Sequence, residues 1–139
     1  MNDSDRNRFD RLVDDALPQL PGEIRTLLEQ VQVIVDDAPD ADLLAEIELD
    51  DPTGLCGLHS GIPLTERSVE DLPTLPSTIH LFREGIVKMA GGWEEWTDDD
   101  DEPMGGDEIV QEEIVITLLH ELGHHFGLDE DDLERLGYA

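Results

Sequence analysis

The chain has 139 residues, of which 36 are Asp or Glu and 8 are Lys or Arg, so its formal net charge is -28. This length suits a single domain with a real hydrophobic core, and so acidic a chain would repel a phosphate backbone, which argues against nucleic acid as a partner. Cys56 is the single cysteine, so an internal disulfide and a cysteine-rich zinc site are both excluded.

The acidic residues are spread along the whole chain, a distribution that favours adaptation to high salt. A preference for basic partners and the presence of disordered acidic segments are alternative explanations. The N-terminus lacks the basic and then apolar layout of a signal peptide, and no apolar run approaches the roughly 18 residues of a membrane span. We therefore expect a cytoplasmic protein that does not bind a membrane.

In the N-terminal half, apolar residues at helical spacing predict an amphipathic helix over 9–17 that stops before Pro18. Pro21 opens a second helix, and the β-branched segment 31–37 predicts a buried strand. Residues 41–49 are ambiguous and are interpreted as a short helix. Residues 50–76 are rich in proline and glycine, so we expect an ordered loop whose length suggests a function.

In the C-terminal half, residues 77–82 predict a second strand and residues 83–90 a turn or short helix. The segment 91–107 has the composition of a flexible acidic linker. From residue 108 the spacing of apolar residues predicts a long helix. It should end at Gly127, because glycine commonly terminates helices in the left-handed conformation. Residues 132–136 predict a final short helix. The prediction is thus one domain over residues 1–139, with a flexible linker at 91–107.

The long helix carries an HExxH motif at residues 120–124. Residues four apart lie on one helix face, so the imidazoles of His120 and His124 can bind a single zinc ion, with Glu121 about 100° round the axis as the catalytic general base. Gly127 lets the chain reverse and bring a later residue back to the metal. Tyr138 is a candidate to stabilise a developing oxyanion.

A catalytic zinc site requires a third ligand. In the extended pattern HExxHxxGxx, counted from His120, that ligand falls at Glu130. Asp129 and Asp131 flank Glu130 and are alternatives, and Glu134 is a further alternative. Two imidazoles and one carboxylate would leave the fourth position of zinc open for water.

Several other side chains are candidates for supporting parts of the site. His125 lies off the ligand face and is interpreted as a surface group or as a support for a ligand. His80, on a predicted strand, is interpreted as structural, and His59 as either structural or part of the active-site rim. Trp93 and Trp96 either dock the acidic linker on the body of the protein or form a lid over a substrate.

Four segments together resemble a family of very small bacterial zincin-like metallopeptidases, also described as minimal Asp-zincins. They are VQVIVDD, GLHSGIPLTER, TIHLFR and HELGHHFGLDEDDLERLGY. The resemblance covers most of the chain and implies an α+β fold, in which a short β-sheet packs against helices that include the HExxH helix. It also implies a zinc-dependent peptidase with His120, His124 and Glu130 as metal ligands. The family has Asp at the position of Glu130.

The motif and the resemblance predict a zinc-dependent hydrolase of peptide bonds. An extended peptide would pair with an edge strand such as TIHLF. The short chain leaves no second lobe to wall a deep cleft, so small or unfolded peptides suit the site better than folded proteins. The alternative is a non-catalytic or latent zincin-fold module that binds peptides or proteins and keeps the metal site.

Overall fold

The computed structural model describes residues 1–60, 77–127 and 129–135, except for the side chains of Glu130 and Leu133. Within these ranges the α-helices are α1 (Asp3–Ala16), α2 (Gly22–Leu28), α3 (Ala41–Glu46), α4 (Arg83–Ala90), α5 (Gly106–Phe126) and α6 (Glu130–Arg135). The strands are β1 (Gln32–Asp36), β2 (Gly57–Ser60), β3 (Thr78–Phe82), β4 (Trp96–Thr97) and β5 (Pro103–Met104). The fold class is therefore α+β, as predicted. None of the helices described is both long and apolar enough to cross a membrane.

The main sheet has the strand order β1-β3-β2, in which β3 pairs with β1 in parallel and with β2 antiparallel. Ile79 and Leu81 of β3 are fully buried, whereas His80 between them projects from the opposite face of the sheet. The prediction that TIHLF is an edge strand is wrong, because β3 is central. The lateral order of strands depends on contacts between distant residues, which the composition of one strand does not reveal.

Helix α5 lies at the centre of the hydrophobic core, where it contacts β2, β3, α1 and α4. The buried core cluster consists of Phe9, Val13, Leu20, Ile24, Ile79, Leu81, Ile86, Ala90, Val110, Ile114, Leu118, Leu119 and Leu122. Because apolar side chains of α5 are enclosed on several sides, the helix cannot rotate about its axis without exposing them. The core thus fixes which face of α5 reaches the surface.

The first helices and the first strand are present as α1, α2 and β1, although α1 begins at Asp3, six residues before its predicted start. The prediction that this strand is buried is wrong, because β1 lies at an edge of the main sheet and none of its residues is fully buried. The ambiguous residues 41–49 begin with α3, where the carboxylate of Asp40 accepts a hydrogen bond from the backbone N–H of Leu43 at 2.8 Å. The prediction of a loop over 50–76 is wrong at the 3₁₀ turn Pro52–Gly54 and at β2, a strand too short to show a periodic pattern. Residues 61–76 lie outside the described residues.

Residues 83–90 form the helix α4, and α5 begins two residues before its predicted start. The final helix α6 begins at Glu130 rather than at residue 132. Asp129 accounts for this start, because its carboxylate accepts a hydrogen bond from the backbone N–H of Asp132 at 2.8 Å and its own backbone N–H donates to the Asp132 carboxylate at 3.1 Å. The pair is a capping box with Asp at both positions.

The acidic segment 91–107 contains an antiparallel hairpin formed by β4 and β5. The indole of Trp96 donates to the carbonyl of Gly91 at 2.8 Å, and the guanidinium of Arg8 lies 4.5 Å from the centre of the Trp93 ring. The contact with Arg8 agrees with the interpretation that Trp93 docks this segment on the body of the protein. The flexibility of the segment and the single domain over 1–139 stay predictions.

A charged network ties α1 to the end of β1 and the start of α4. The side chain of Arg6 donates to both oxygens of the Asp37 carboxylate, and Arg83 donates to Asp37 at 2.9 Å and to Asp10 at 3.0 Å. The hydrogen bonds from Arg6 hold the pKa of Asp37 below its usual value, against the opposing effect of burial and with help from Arg83. The network should therefore stabilise the fold at neutral pH.

We expect Asp37→Asn to lower the free energy of unfolding by about 2 kcal/mol at pH 7, because it removes charged hydrogen bonds that are partly buried. A carboxylate whose pKa is lowered by folding stabilises the folded state above its unfolded pKa, and this contribution is lost as the pH falls through the folded pKa. The difference between the two proteins should thus shrink below a pH of about 4. Urea unfolding, monitored by circular dichroism at several pH values, measures this difference in the free energy of unfolding.

The control is Asp3→Asn, which makes the same change in net charge at a carboxylate that is 92% exposed. Its hydrogen bond to Arg6 is a surface ion pair, so its loss should lower the free energy of unfolding much less than the loss of the Asp37 carboxylate. Equal losses in the two variants, or a loss in Asp37→Asn that is the same at every pH, would contradict the proposed role of the network.

Candidate metal centre

Helix α5 has 21 residues and carries the HExxH motif in its last two turns. Asp107 and Glu108 lie in its first turn, where negative charge complements the helix dipole. The helix ends at Gly127, which has a φ of 69° and whose backbone N–H donates to the carbonyl of Gly123. Glycine adopts this left-handed conformation without strain, so the predicted end of the helix at Gly127 is confirmed.

The side chains of His120, Glu121 and His124 form a compact group. One nitrogen of each imidazole and one carboxylate oxygen all lie within 4.8 Å of one another. The imidazole ring centres are 4.5 Å apart, and Oε2 of Glu121 lies 3.4 Å from Nδ1 of His124. Both imidazoles are exposed, whereas Glu121 is only 7% exposed. Nitrogen and carboxylate donors at this separation fit a metal ion such as zinc.

The predicted third ligands lie in or next to α6. The side chain of Glu130 is outside the described residues, so its assignment as a ligand stays a prediction. Among the side chains that are described, those of Asp129, Asp131 and Glu134 do not join the group formed by the motif. The carboxylate of Asp129 instead caps α6 through the backbone N–H of Asp132.

Strand β2 comes close to α5 beside Glu121, which the sequence alone did not indicate. A Cβ atom added at Gly57 would lie 2.7 Å from Cγ2 of Thr117, 3.0 Å from the carbonyl oxygen of His80 and 3.3 Å from Cγ of Glu121. These separations are too short for an unstrained side chain, so only glycine lets β2 pack this closely on α5. Gly57 is therefore a position that supports the metal centre from the sheet.

The other histidines among the described residues lie outside the metal-binding group. His125 is only 2% exposed, and its ring centre lies 5.2 Å from that of His59 and 4.5 Å from that of Phe126. The interpretation of His125 as a surface group is therefore wrong, because its ring is buried between those of His59 and Phe126. His80 lies on the sheet face opposite the buried Ile79 and Leu81, and the candidate oxyanion group Tyr138 lies outside the described residues.

The family of the chain follows from a comparison of its whole sequence. A family model described as zincin-like metallopeptidase matches residues 28–138, a range that includes the motif and the whole main sheet. The chain belongs to the zincin-like metallopeptidase family. No curated protein sequence matches the chain.

Membership of the zincin-like metallopeptidase family confirms the fold predicted from the sequence, a small α+β zincin-like domain. The family supports a hydrolase and implies a metal cofactor, typically zinc. Within the described part of the chain, the group of His120, Glu121 and His124 is where such a metal can bind.

Proposed function

We propose that this protein is a zinc-dependent peptidase in which His120 and His124 bind the metal and Glu121 is the general base. The observation that carries the proposal is the buried Glu121 carboxylate beside two exposed imidazoles, with donor atoms within 4.8 Å of one another. Exposed imidazoles are accessible to an ion and a substrate, while burial holds the carboxylate in one orientation beside them. Membership of a metallopeptidase family supports the same function.

In this proposal His120, His124 and Glu130 would hold zinc through two nitrogens and one oxygen. When bound, zinc supplies a Lewis acid that lowers the pKa of water and polarises a peptide carbonyl. The Glu121 carboxylate takes the proton of the attacking water and delivers it to the amine that leaves. Oε2 of Glu121 lies 3.4 Å from Nδ1 of His124, so this proton acceptor is on the same side of α5 as the metal ligands.

The substrate is expected to be an extended peptide that pairs with β2. Among the described residues β2 pairs only with β3, so its other edge has no strand partner there. Peptides add to such edges through main-chain hydrogen bonds. Because Gly57 of β2 packs against Thr117 and Glu121, a peptide held at this edge lies close to the general base. Small or unfolded peptides can adopt the extended form that this pairing requires.

An unbiased peptide mixture incubated with the zinc-loaded protein tests the function. New peptide termini, detected by mass spectrometry, should disappear when a chelator removes the metal and return when zinc is added back. Magnesium serves as the control, because it prefers oxygen ligands and retains its water. A protein that binds zinc but yields no new termini would favour the alternative, a non-catalytic module that binds peptides and keeps the metal site.

The close packing at Gly57 leads to a further prediction. We expect Gly57→Ala to lower peptide cleavage by about 100-fold, because a shift of Glu121 by about 1 Å has an effect of that size. Overpacking should also lower the free energy of unfolding by about 1–3 kcal/mol. Steady-state kinetics and urea unfolding measure the two effects.

The matched control is Gly54→Ala, where the added Cβ would lie 3.6 Å from its nearest neighbour, a methyl group of Leu49. In the Gly57→Ala background, Thr117→Ser removes the Cγ2 methyl group that the new Cβ approaches most closely, and should restore part of the lost cleavage. Wild-type cleavage by Gly57→Ala would show that β2 does not position Glu121.

A further inference from the structure

Strand β2 and helix α5 run side by side in the same direction. At the start of β2, Gly57 lies against Thr117 and Glu121. Two residues later, the ring of His59 lies 5.2 Å from the ring of His125. The direction from Gly57 to His59 along β2 is therefore the direction of α5 towards its C-terminus. A peptide paired with the edge of β2 that has no strand partner among the described residues runs along the axis of α5.

One row of exposed side chains follows this axis, and we call Glu112, Ile116 and His120 the exposed stripe. They are four residues apart, so neighbours in the stripe are separated by about 6 Å along the helix. Same-side residues of an extended peptide are separated by roughly 6.6 Å. Because β2 begins level with Thr117 and Glu121, Ile116 and Glu112 lie before its first residue. An extended peptide that pairs with β2 and continues past Gly57 can therefore place successive same-side residues over His120, Ile116 and Glu112.

The exposed stripe is apolar at Ile116 and negatively charged at Glu112. Ile116 is 46% exposed, one of the few large apolar side chains that are described at the surface, whereas its neighbour Thr117 is buried under β2. Beyond Ile116 the charge is negative, from Glu112 and Glu113. Burial and the nearby charge of Glu112 raise the pKa of Glu113, so these two carboxylates are close enough to interact.

We propose that the exposed stripe determines which peptides are bound, by selecting an apolar side chain over Ile116 and a basic side chain over Glu112. This inference rests on the proposed function. An apolar substrate side chain removes the exposed surface of Ile116 from water. A basic side chain relieves the repulsion between Glu112 and Glu113, whereas an acidic one increases it.

Binding is best measured in the zinc-loaded Glu121→Gln protein, so that the peptide is not consumed. The probes are fluorescent glycine-rich peptides that carry one Leu, one Arg or one Asp at successive positions. We expect Ile116→Ser to weaken binding of the best Leu peptide about tenfold, the effect of removing part of an apolar contact. Ile47→Ser is the matched control. Ile47 is exposed at the C-terminal end of a different helix, α3, so this substitution should leave binding unchanged.

Glu112→Gln should weaken binding of the best Arg peptide about threefold at low salt and less at high salt, because surface charges are screened. Glu46→Gln, at an exposed position of α3, is its control. The melting temperature and zinc content of Ile116→Ser should equal those of the parent protein, which separates a binding effect from a folding effect.

The two proposals can fail separately. If the wild-type protein cleaves peptides but Ile116→Ser and Glu112→Gln bind the Leu and Arg peptides as their controls do, the inference about the exposed stripe is wrong and the peptidase function stands. If the Leu and Arg preferences are present and depend on the two residues, but no peptide is cleaved, the exposed stripe is a binding surface of a non-catalytic zincin.

Discussion

Replacement of Glu121 by Gln is expected to lower peptide hydrolysis by about 1,000-fold, the usual scale for loss of a general base. Gln has nearly the same shape as Glu but cannot take a proton from water. The Glu121 side chain is 7% exposed and packs beside Gly57, so a substitution of equal size should leave the packing intact. Rates of peptide cleavage, with zinc content measured on the same samples, test this prediction.

The control for Glu121→Gln is Glu108→Gln, which makes the same change at an exposed position in the first turn of α5. Glu108→Gln should retain wild-type cleavage, and both variants should contain as much zinc as the wild-type protein. If Glu121→Gln kept most of the wild-type rate, Glu121 would not be the base. If it lost its zinc, Glu121 would act as a ligand instead.

Replacement of His124 by Ala is expected to remove most of the bound zinc and, with it, the cleavage. The loss of zinc affinity should exceed about 100-fold, the upper range for substitutions of groups that only support a ligand. The side chain of His124 is 55% exposed, so the metal-free variant should melt at the same temperature as the metal-free wild-type protein. Competition with a chromogenic chelator measures the zinc affinity.

The control for His124→Ala is His80→Ala, which removes an imidazole from the opposite side of the sheet, where His80 pairs in register with Leu58 and Ile34. We expect its zinc affinity to equal that of the wild-type protein. Equal zinc affinities for His124→Ala and the wild-type protein would place the metal elsewhere in the chain.

The parts of the site that the sequence predicts correctly depend on local geometry. The spacing of His120 and His124 places both imidazoles on one helix face whatever the rest of the fold does. The end of α5 at Gly127 likewise depends on the conformational freedom of one glycine. Each of these features depends only on residues that are close together in the sequence, so a sequence pattern is enough to predict it.

The parts that the sequence did not predict depend on contacts between distant residues. The central position of β3 results from pairing with strands on both sides, and its own composition also suits an edge strand. The role of Gly57 arises from contacts with Thr117 and Glu121, more than 50 residues later in the chain. A glycine in a loop-like segment gives no sign of such a contact. The start of α6 was missed although Asp129 and Asp132 have capping-box spacing, because the run of acidic residues hides this pair.

In the proposed function, one zinc ion bound by His120 and His124 makes this chain a peptidase. The most direct test is a titration of the metal-free protein with zinc, in which bound zinc and peptide cleavage are followed together. We expect the cleavage rate to rise in proportion to bound zinc and to saturate at one ion per chain. Cleavage that does not change with bound zinc, or a chain saturated with one zinc ion that cleaves no peptide, would contradict the claim.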